Sequence, residues 1–310
     1  MSLTSELETT GSPIRLCVEA AAATVQEAKR GAPYEREAKS LLGLEALPPL
    51  ALAPLPGANG GTVGSAFDYR LRFDLGWYSC TDTVAALGAR LVPPAVHAGA
   101  FLEETDRVTA ELAADRNPLD DAAELELTRR CVVLALLESV YRSGRSSHLL
   151  PWPADPLELA PSEVVADVTR LQHAARTGFG PVVERVRSGD RYLPNPTFAG
   201  SVDVKADADI IVGDELIELK TVKTLDGMAL RAALNQLVGY CLLDYEDALA
   251  IRTVGVYFAR HQLLRSWPLT SLVFPPDAVF GAAETPAEEH LLRRLGELRG
   301  SMRATTRRSR

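Results

Sequence analysis

The chain has 310 residues, 46% hydrophobic and 24% charged, with a formal net charge of -8 and a pI near 5.3. That balance belongs to an ordinary globular protein able to bury a substantial core, and it excludes a surface coated in basic charge, though not a local basic groove. Cys17, Cys80, Cys131 and Cys241 form no CxxC pair, so neither a zinc site nor a disulfide framework is expected. No apolar run reaches the ~18 residues of a membrane span, and residues 1–13 carry no secretory h-region. The expected compartment is a reducing cytoplasm, with no membrane partner.

In chain order, residues 14–30 are Ala-rich with helical spacing, and Pro48, Pro49, Pro54, Pro56 and the glycines of 57–61 break any regular element. Residues 64–75 predict a helix, with Phe67, Leu71 and Leu75 at i, i+4 and i+8. Helices follow over 101–114, 120–141 and 161–177; Asp120 and Asp121 open the second and Gly144 stops it. The character changes near residue 190. Pro194 and Pro196 bracket a turn, and residues 201–204, 207–212 and 215–222, rich in Val and Ile, predict strands. A helix over 230–244 and strands over 253–259 and 263–267 come next, then an amphipathic helix over 285–299 and an Arg-rich tail to Arg310. The pattern is an α/β core beside a mostly helical first half.

The stretch from Asp209 to Lys220 carries the chemistry. With Gly213 and Asp214 as the turn of a hairpin, Val212 pairs with Glu215, Ile211 with Leu216 and Ile210 with Ile217, so Asp209 lies opposite Glu218. Directly opposed side chains share a face, with Cβ atoms roughly 5 Å apart. The pleat returns Lys220 to that face, while Ile210, Val212, Ile217 and Leu219 point away. Two opposed carboxylates repel unless a cation lies between them, and hard oxygen ligands suit Mg²⁺, or Mn²⁺ in its place. A lysine beside them can hold the attacking water or stabilise charge on phosphorus, which is the arrangement of metal-assisted phosphodiester hydrolysis. The chain has only five lysines, Lys29, Lys39, Lys205, Lys220 and Lys223, so a lysine here is a selective choice. A surface hairpin with scattered charges is the competing explanation.

Downstream, Gln236 and Tyr240 share one face of the predicted helix, four residues apart. Asp209, then Glu218-Leu-Lys220, then Gln236-Leu-Val-Gly-Tyr240 resembles the RecB-like exonuclease branch of the PD-(D/E)XK nuclease superfamily, whose pattern is D, (D/E)xK and QxxxY on successive elements. Gly64-Ser-Ala-Phe-Asp68 resembles that branch's upstream GxxxH motif, with Asp in place of His. The resemblance implies an αβββαβ-like mixed sheet flanked by helices, a large helical insertion over 77–190, and cleavage of DNA with Mg²⁺ or Mn²⁺. It implies that Asp68, Asp209 and Glu218 hold the metal and that Gln236 and Tyr240 support the site or the substrate strand. The iron–sulfur cluster of some members is not expected, because no cysteine follows Cys241. Exonuclease or endonuclease, DNA or RNA, and a protein partner or a second copy all stay open, as does a degenerate nuclease fold kept for binding.

Around this centre, Asp207 faces Lys220 in the hairpin register and is expected on the substrate side. Lys223 falls on the opposite face, as a solvent or phosphate contact. Arg260 and His261, at a strand end near the site, are expected to touch phosphate. Glu138, in an otherwise apolar helix, is either a further metal ligand from a core helix or, the preferred reading, an acid reaching solvent or a nearby arginine. The C-terminal arginines either track a nucleic-acid backbone or form a solvated tail. Four regions follow: a helical lead and loop over 1–61, a first core helix with the helical insertion over 62–190, a nuclease core with the catalytic hairpin over 191–285, and a C-terminal helix and tail over 286–310.

Overall fold

A computed structural model describes residues 2–29, 31–76, 78–93, 96–114, 119–278 and 287–308. Helices α1 (Leu3–Glu8), α2 (Pro13–Ala21), α3 (Ala23–Glu27) and α4 (Glu35–Leu41) lead into α5 (Gly60–Leu75), α6 (Val84–Ala89), α7 (Ala98–Ala114), α8 (Asp121–Ser143), α9 (Ser162–Gly178) and α10 (Gly180–Arg187). Strands β1 (Tyr192–Pro194), β2 (Ile210–Val212) and β3 (Glu215–Lys220) follow, then α11 (Gly227–Leu243), β4 (Thr253–Phe258), β5 (Leu263–Pro268), α12 (Thr270–Val273) and α13 (Ala287–Arg308). Arg310 and the first residues of the predicted 285–299 helix lie outside the described residues.

The helix ends have local causes. The Asn59 side chain accepts from the Thr62 amide at 3.0 Å, and Asp120 accepts from the Ala123 amide at 2.8 Å. Asp226 accepts from the amides of Met228 and Ala229 at 2.9 and 2.8 Å. Each satisfies donors that a helix start leaves free. Gly144 ends α8 at φ 68°, where a glycine costs least.

The five strands lie in chain order, β1-β2-β3-β4-β5. The first three are antiparallel, β3 and β4 run parallel with α11 between them in sequence, and β5 returns antiparallel. Both faces are covered. Ile211, Leu216, Val254, Val256 and Phe258 pack with α2, α11 and α13, while Ile210, Val212, Ile217 and Tyr257 pack with α5, α8 and α9. The long helical stretch after residue 62 therefore supplies one whole layer of the sandwich.

Three expectations are corrected. Residues 201–204 are not a strand: a 3₁₀ turn covers Ala199–Val202, held by the Phe198 amide on Ser201 Oγ at 2.9 Å and by Ser201 Oγ on the Ala206 carbonyl at 2.6 Å. Such side-chain bonds offer the backbone an alternative to a ladder. The 14–30 helix is broken at Ala22, whose ψ of 62° ends α2 and starts α3. Residues 192–194, not predicted as a strand, form β1, which Pro194 closes at an edge position that tolerates its missing amide; Pro194 and Pro196 bracket a bend at Asn195, φ 48°, as expected.

Candidate active site

The register of the hairpin is the one its sequence predicts. Ile210 lies opposite Ile217, Ile211 opposite Leu216 and Val212 opposite Glu215, with Gly213 at φ 62° in the turn. Asp209 stands one position before β2. Its Oδ2 accepts the Leu219 amide at 2.6 Å, so the carboxylate caps β3 where the ladder stops. Glu218, 5% exposed, directs Oε1 to Lys220 Nζ at 2.7 Å, and its buried Oε2 has no hydrogen-bond partner. Lys220 Nζ also donates to Gln236 Oε1 at 3.0 Å, and Gln236 Nε2 donates to the Tyr240 hydroxyl at 2.7 Å. A relay thus runs from Glu218 through Lys220 and Gln236 to Tyr240, across β3 and α11.

α5 belongs to the opposite layer and passes the end of β3 at Gly64, where an added Cβ would lie 3.1 Å from Thr221 Oγ1. This close approach gives the first residue of the Gly64–Asp68 motif its reason. Asp68 feels the charges of Glu138 and Glu218. Both its oxygens are engaged by Arg72, Oδ1 with Nε at 2.8 Å and Oδ2 with Nη2. Sequence reasoning passed over Arg72, though its position four residues after Asp68, on the same helix face, was a usable signal. It also undervalued Glu138, which receives the Tyr69 hydroxyl at 2.7 Å, Ser65 Oγ at 3.3 Å and Arg142 Nε at 2.7 Å. The preferred reading of Glu138 as an acid paired with a nearby arginine agrees with that contact, and its charge acts on Asp68.

The electrostatics follow from this crowding. Removal from water pushes the Asp68 carboxyl up to about 7; Arg72 pulls it down, while Glu138 and Glu218 push it further up. Asp209 is raised well above the carboxylate range, first by desolvation and then by Glu218 and Asp68. Burial opposes the charge on Lys220, but Glu218 and Asp209 outweigh it and hold its pKa above the ordinary value. Tyr240 is pushed well above the ordinary phenol value by burial and by the same two acids, so it stays neutral.

A cavity of about 390 Å³ opens onto the pair, lined by Asp207, Asp209, Glu218, Gln236, Tyr240 and Arg142, with Ser2, Thr4 and Glu8 of the N-terminal segment forming one wall. Asp207 lines this cavity, but the hairpin pairing stops at Ile210 and its neighbour is Arg142, with Nη2 3.7 Å from Oδ2, where Lys220 was expected. Lys223 is exposed, follows the end of β3 and does not line this cavity. Arg260 and His261, expected to touch phosphate, do not line this cavity. Arg260 is 1% exposed and turned inward onto Asp167 at 2.6 Å and the Thr221 carbonyl at 2.9 Å. His261 is buried, with Nδ1 3.1 Å from the Pro49 carbonyl. Burial with an acid partner, not phosphate contact, explains the arginine.

The donor set bears on the expected metal. Asp209 and Glu218 are hard oxygen donors, the charge of Glu218 adds to the cost of ionising Asp209, and Glu218 Oε2 is unspent. Mg²⁺ is commonly held by one or two carboxylates with water and phosphate completing its shell, so this pair fits. Asp68 does not complete the set while Arg72 holds it, and among the described residues no group of three or more His, Cys, Asp or Glu side chains is arranged to hold a metal ion. No family model matches this chain, and neither does any curated protein or solved structure.

Proposed function

We propose that this chain is a metal-dependent nuclease of the PD-(D/E)XK class, hydrolysing phosphodiester bonds in DNA with Mg²⁺ or Mn²⁺. The observation that carries the reading is the Glu218–Lys220–Gln236–Tyr240 relay beside Asp209, because it joins the ExK strand and the QxxxY helix into one hydrogen-bonded unit. A helix, three antiparallel strands, a helix and a parallel strand, the order such a core requires, supports it further.

In this reading Asp209 and Glu218 hold the ion, which when bound supplies Lewis-acid polarisation of the phosphate and activation of water. Lys220 is locked in its ammonium form by the two acids, so it does not take the proton from water. Its role is to orient water and to offset negative charge developing on the phosphoryl oxygens as water adds to phosphorus and one backbone P–O bond breaks. Gln236 fixes the direction of the ammonium by accepting one of its hydrogens. Tyr240 holds the Gln236 amide in the orientation that makes this acceptance available.

A second reading has its own observation. Arg72 already neutralises Asp68, and a site whose upstream acid is paired with a resident cation suits a nuclease fold retained for binding nucleic acid or a protein. Incubation of linear, circular and single-stranded DNA, and of RNA, with Mg²⁺ or Mn²⁺ separates the two. Cleavage by the wild type that Lys220→Ala lowers by about 10²–10³-fold, with binding retained, is the expected result. Equal rates in wild type and Lys220→Ala, or no cleavage of any substrate, overturns the nuclease reading.

A further inference from the structure

A second cavity of about 460 Å³ lies on the other side of the relay. Thr4, Glu8 and Gln236 line both cavities, and Lys220, bonded to Glu218 and Gln236, lines the second. The two spaces are neighbouring compartments divided by the Lys220–Gln236 contact. Their charges differ in sign. The first gathers Glu8, Asp207, Asp209 and Glu218 against Arg142 and Lys205; the second sets Arg15, Lys29, Lys220 and Arg231 against Glu8 and Glu19. In a chain of net charge -8, a cationic hollow beside an acidic one is a specific placement.

The wall chemistry narrows the occupant. Arg231 is half-buried and has no ion-paired or hydrogen-bonded partner among the described residues, whereas Arg15 is paired with Glu19 at 3.2 Å. Asn235, one turn further along α11, and Gln26 of α3 each carry a buried amide atom without a partner: an acceptor on Asn235 Oδ1 and a donor on Gln26 Nε2. Between these polar groups the surface is apolar, from the buried Phe258 to Met228, which is 71% exposed. A largely apolar space with one unspent donor, one unspent acceptor and an unpaired guanidinium suits a heterocyclic base on its sugar with a phosphate beside Arg231.

We infer that this second cavity is a nucleotide subsite, receiving the unit of the strand next to the phosphate that lies at Asp209 and Glu218. The inference rests on the nuclease reading for the strand's direction of travel, but binding tests it separately from cleavage. A path through both compartments runs along α1, so the N-terminal segment forms one side of the strand's track. Arg231 neutralises the neighbouring phosphate, and the apolar wall covers the base.

The first arm of the experiment titrates metal-free protein with deoxyadenosine 5′-monophosphate by calorimetry. Wild type and Asp209→Asn should bind alike, Arg231→Ala at least tenfold more weakly, and Ala232→Trp, which fills the cavity from an exposed helix position, not measurably. Melting curves establish that the variants fold. The second arm measures the affinity of a short single-stranded oligonucleotide in the Asp209→Asn background, where adding Arg231→Ala or Ala232→Trp should weaken binding at least fivefold. No wild-type binding of the mononucleotide, or equal binding by all variants, overturns the subsite. Mononucleotide binding lost in the variants with oligonucleotide affinity unchanged also overturns it, since the cavity then serves a free nucleotide. Absence of cleavage by wild type, with both binding arms as expected, defeats the nuclease reading and leaves the subsite standing.

Discussion

At the scale of single residues, the site is a problem of stored repulsion. Asp209 is raised by burial, Glu218 and Asp68, and Asp68 sits at about 7 although Arg72 is paired with it. In the unfolded chain these carboxyls titrate near 4. Between roughly pH 4 and pH 7 the folded protein therefore holds protons that the unfolded chain has released, so the stability of the metal-free protein should fall as pH rises through that window. Melting temperature measured from pH 4.5 to 7.5 in a chelator should show this decline, and Asp209→Asn should flatten it and raise the upper end. A wild-type profile that climbs with pH would show that the acids are not crowded. Mg²⁺ or Mn²⁺ favours the charged forms and should raise the melting temperature of wild type by mass action. Glu218→Gln, which removes one of the two proposed ligands, should lose that rise.

At the scale of elements, the helical layer is held by two contacts that no sequence motif announces. α6 crosses α8 so closely that a Cβ on Gly88 would lie 1.8 Å from the Leu137 carbonyl oxygen, a backbone atom that cannot swing aside. Gly88→Ala should cost several kcal/mol, at the severe end of single substitutions, and appear as a loss of soluble folded protein or a large drop in melting temperature. Arg260 ties the end of β4 to Asp167 on α9, with both side chains at most 2% exposed. Removing one partner of such a pair leaves a buried charge unmet, so Arg260→Ala should cost about 3–5 kcal/mol. Denaturant unfolding measures it, and a cost under 1 kcal/mol would contradict the buried pair. The hairpin register was legible because Gly213-Asp214 and the alternation around it are local signals. So was α8, from Asp120 to Gly144. The break at Ala22 was not, because alanine carries no stop signal and the kink belongs to packing: Thr24 Oγ1 donates to the Phe274 carbonyl at 2.7 Å, 250 residues away in sequence. The direction of Arg260 was hidden for the same reason, since its partner lies 93 residues earlier. Of the candidate site, the residues on neighbouring strands were readable by spacing, those on α11 only through the resemblance that links them to the strands, and Arg72 by its place four residues after Asp68; the contacts of Glu138 needed the layers to be stacked before they could be seen.

At the scale of the whole molecule, the order of the sheet sets where opening begins. The strands lie in chain order, with the three-residue β1 at one edge and β5 at the other, so β3 has two strands between the outside and itself on either side of the fold. Amides at sheet edges exchange through local fraying, while those at the centre wait for larger openings. Hydrogen exchange should therefore be slowest at residues 215–220 and 254–258, and faster at 192–194 and 263–268. Equal protection of β1 and β3 would contradict this ranking. Glu218 and Lys220 thus ride on the strand that lets go late. Loosening at the β1 edge can occur while the acid and the ammonium remain in register, so the margin of the sheet can open without disturbing Glu218 and Lys220 at its centre.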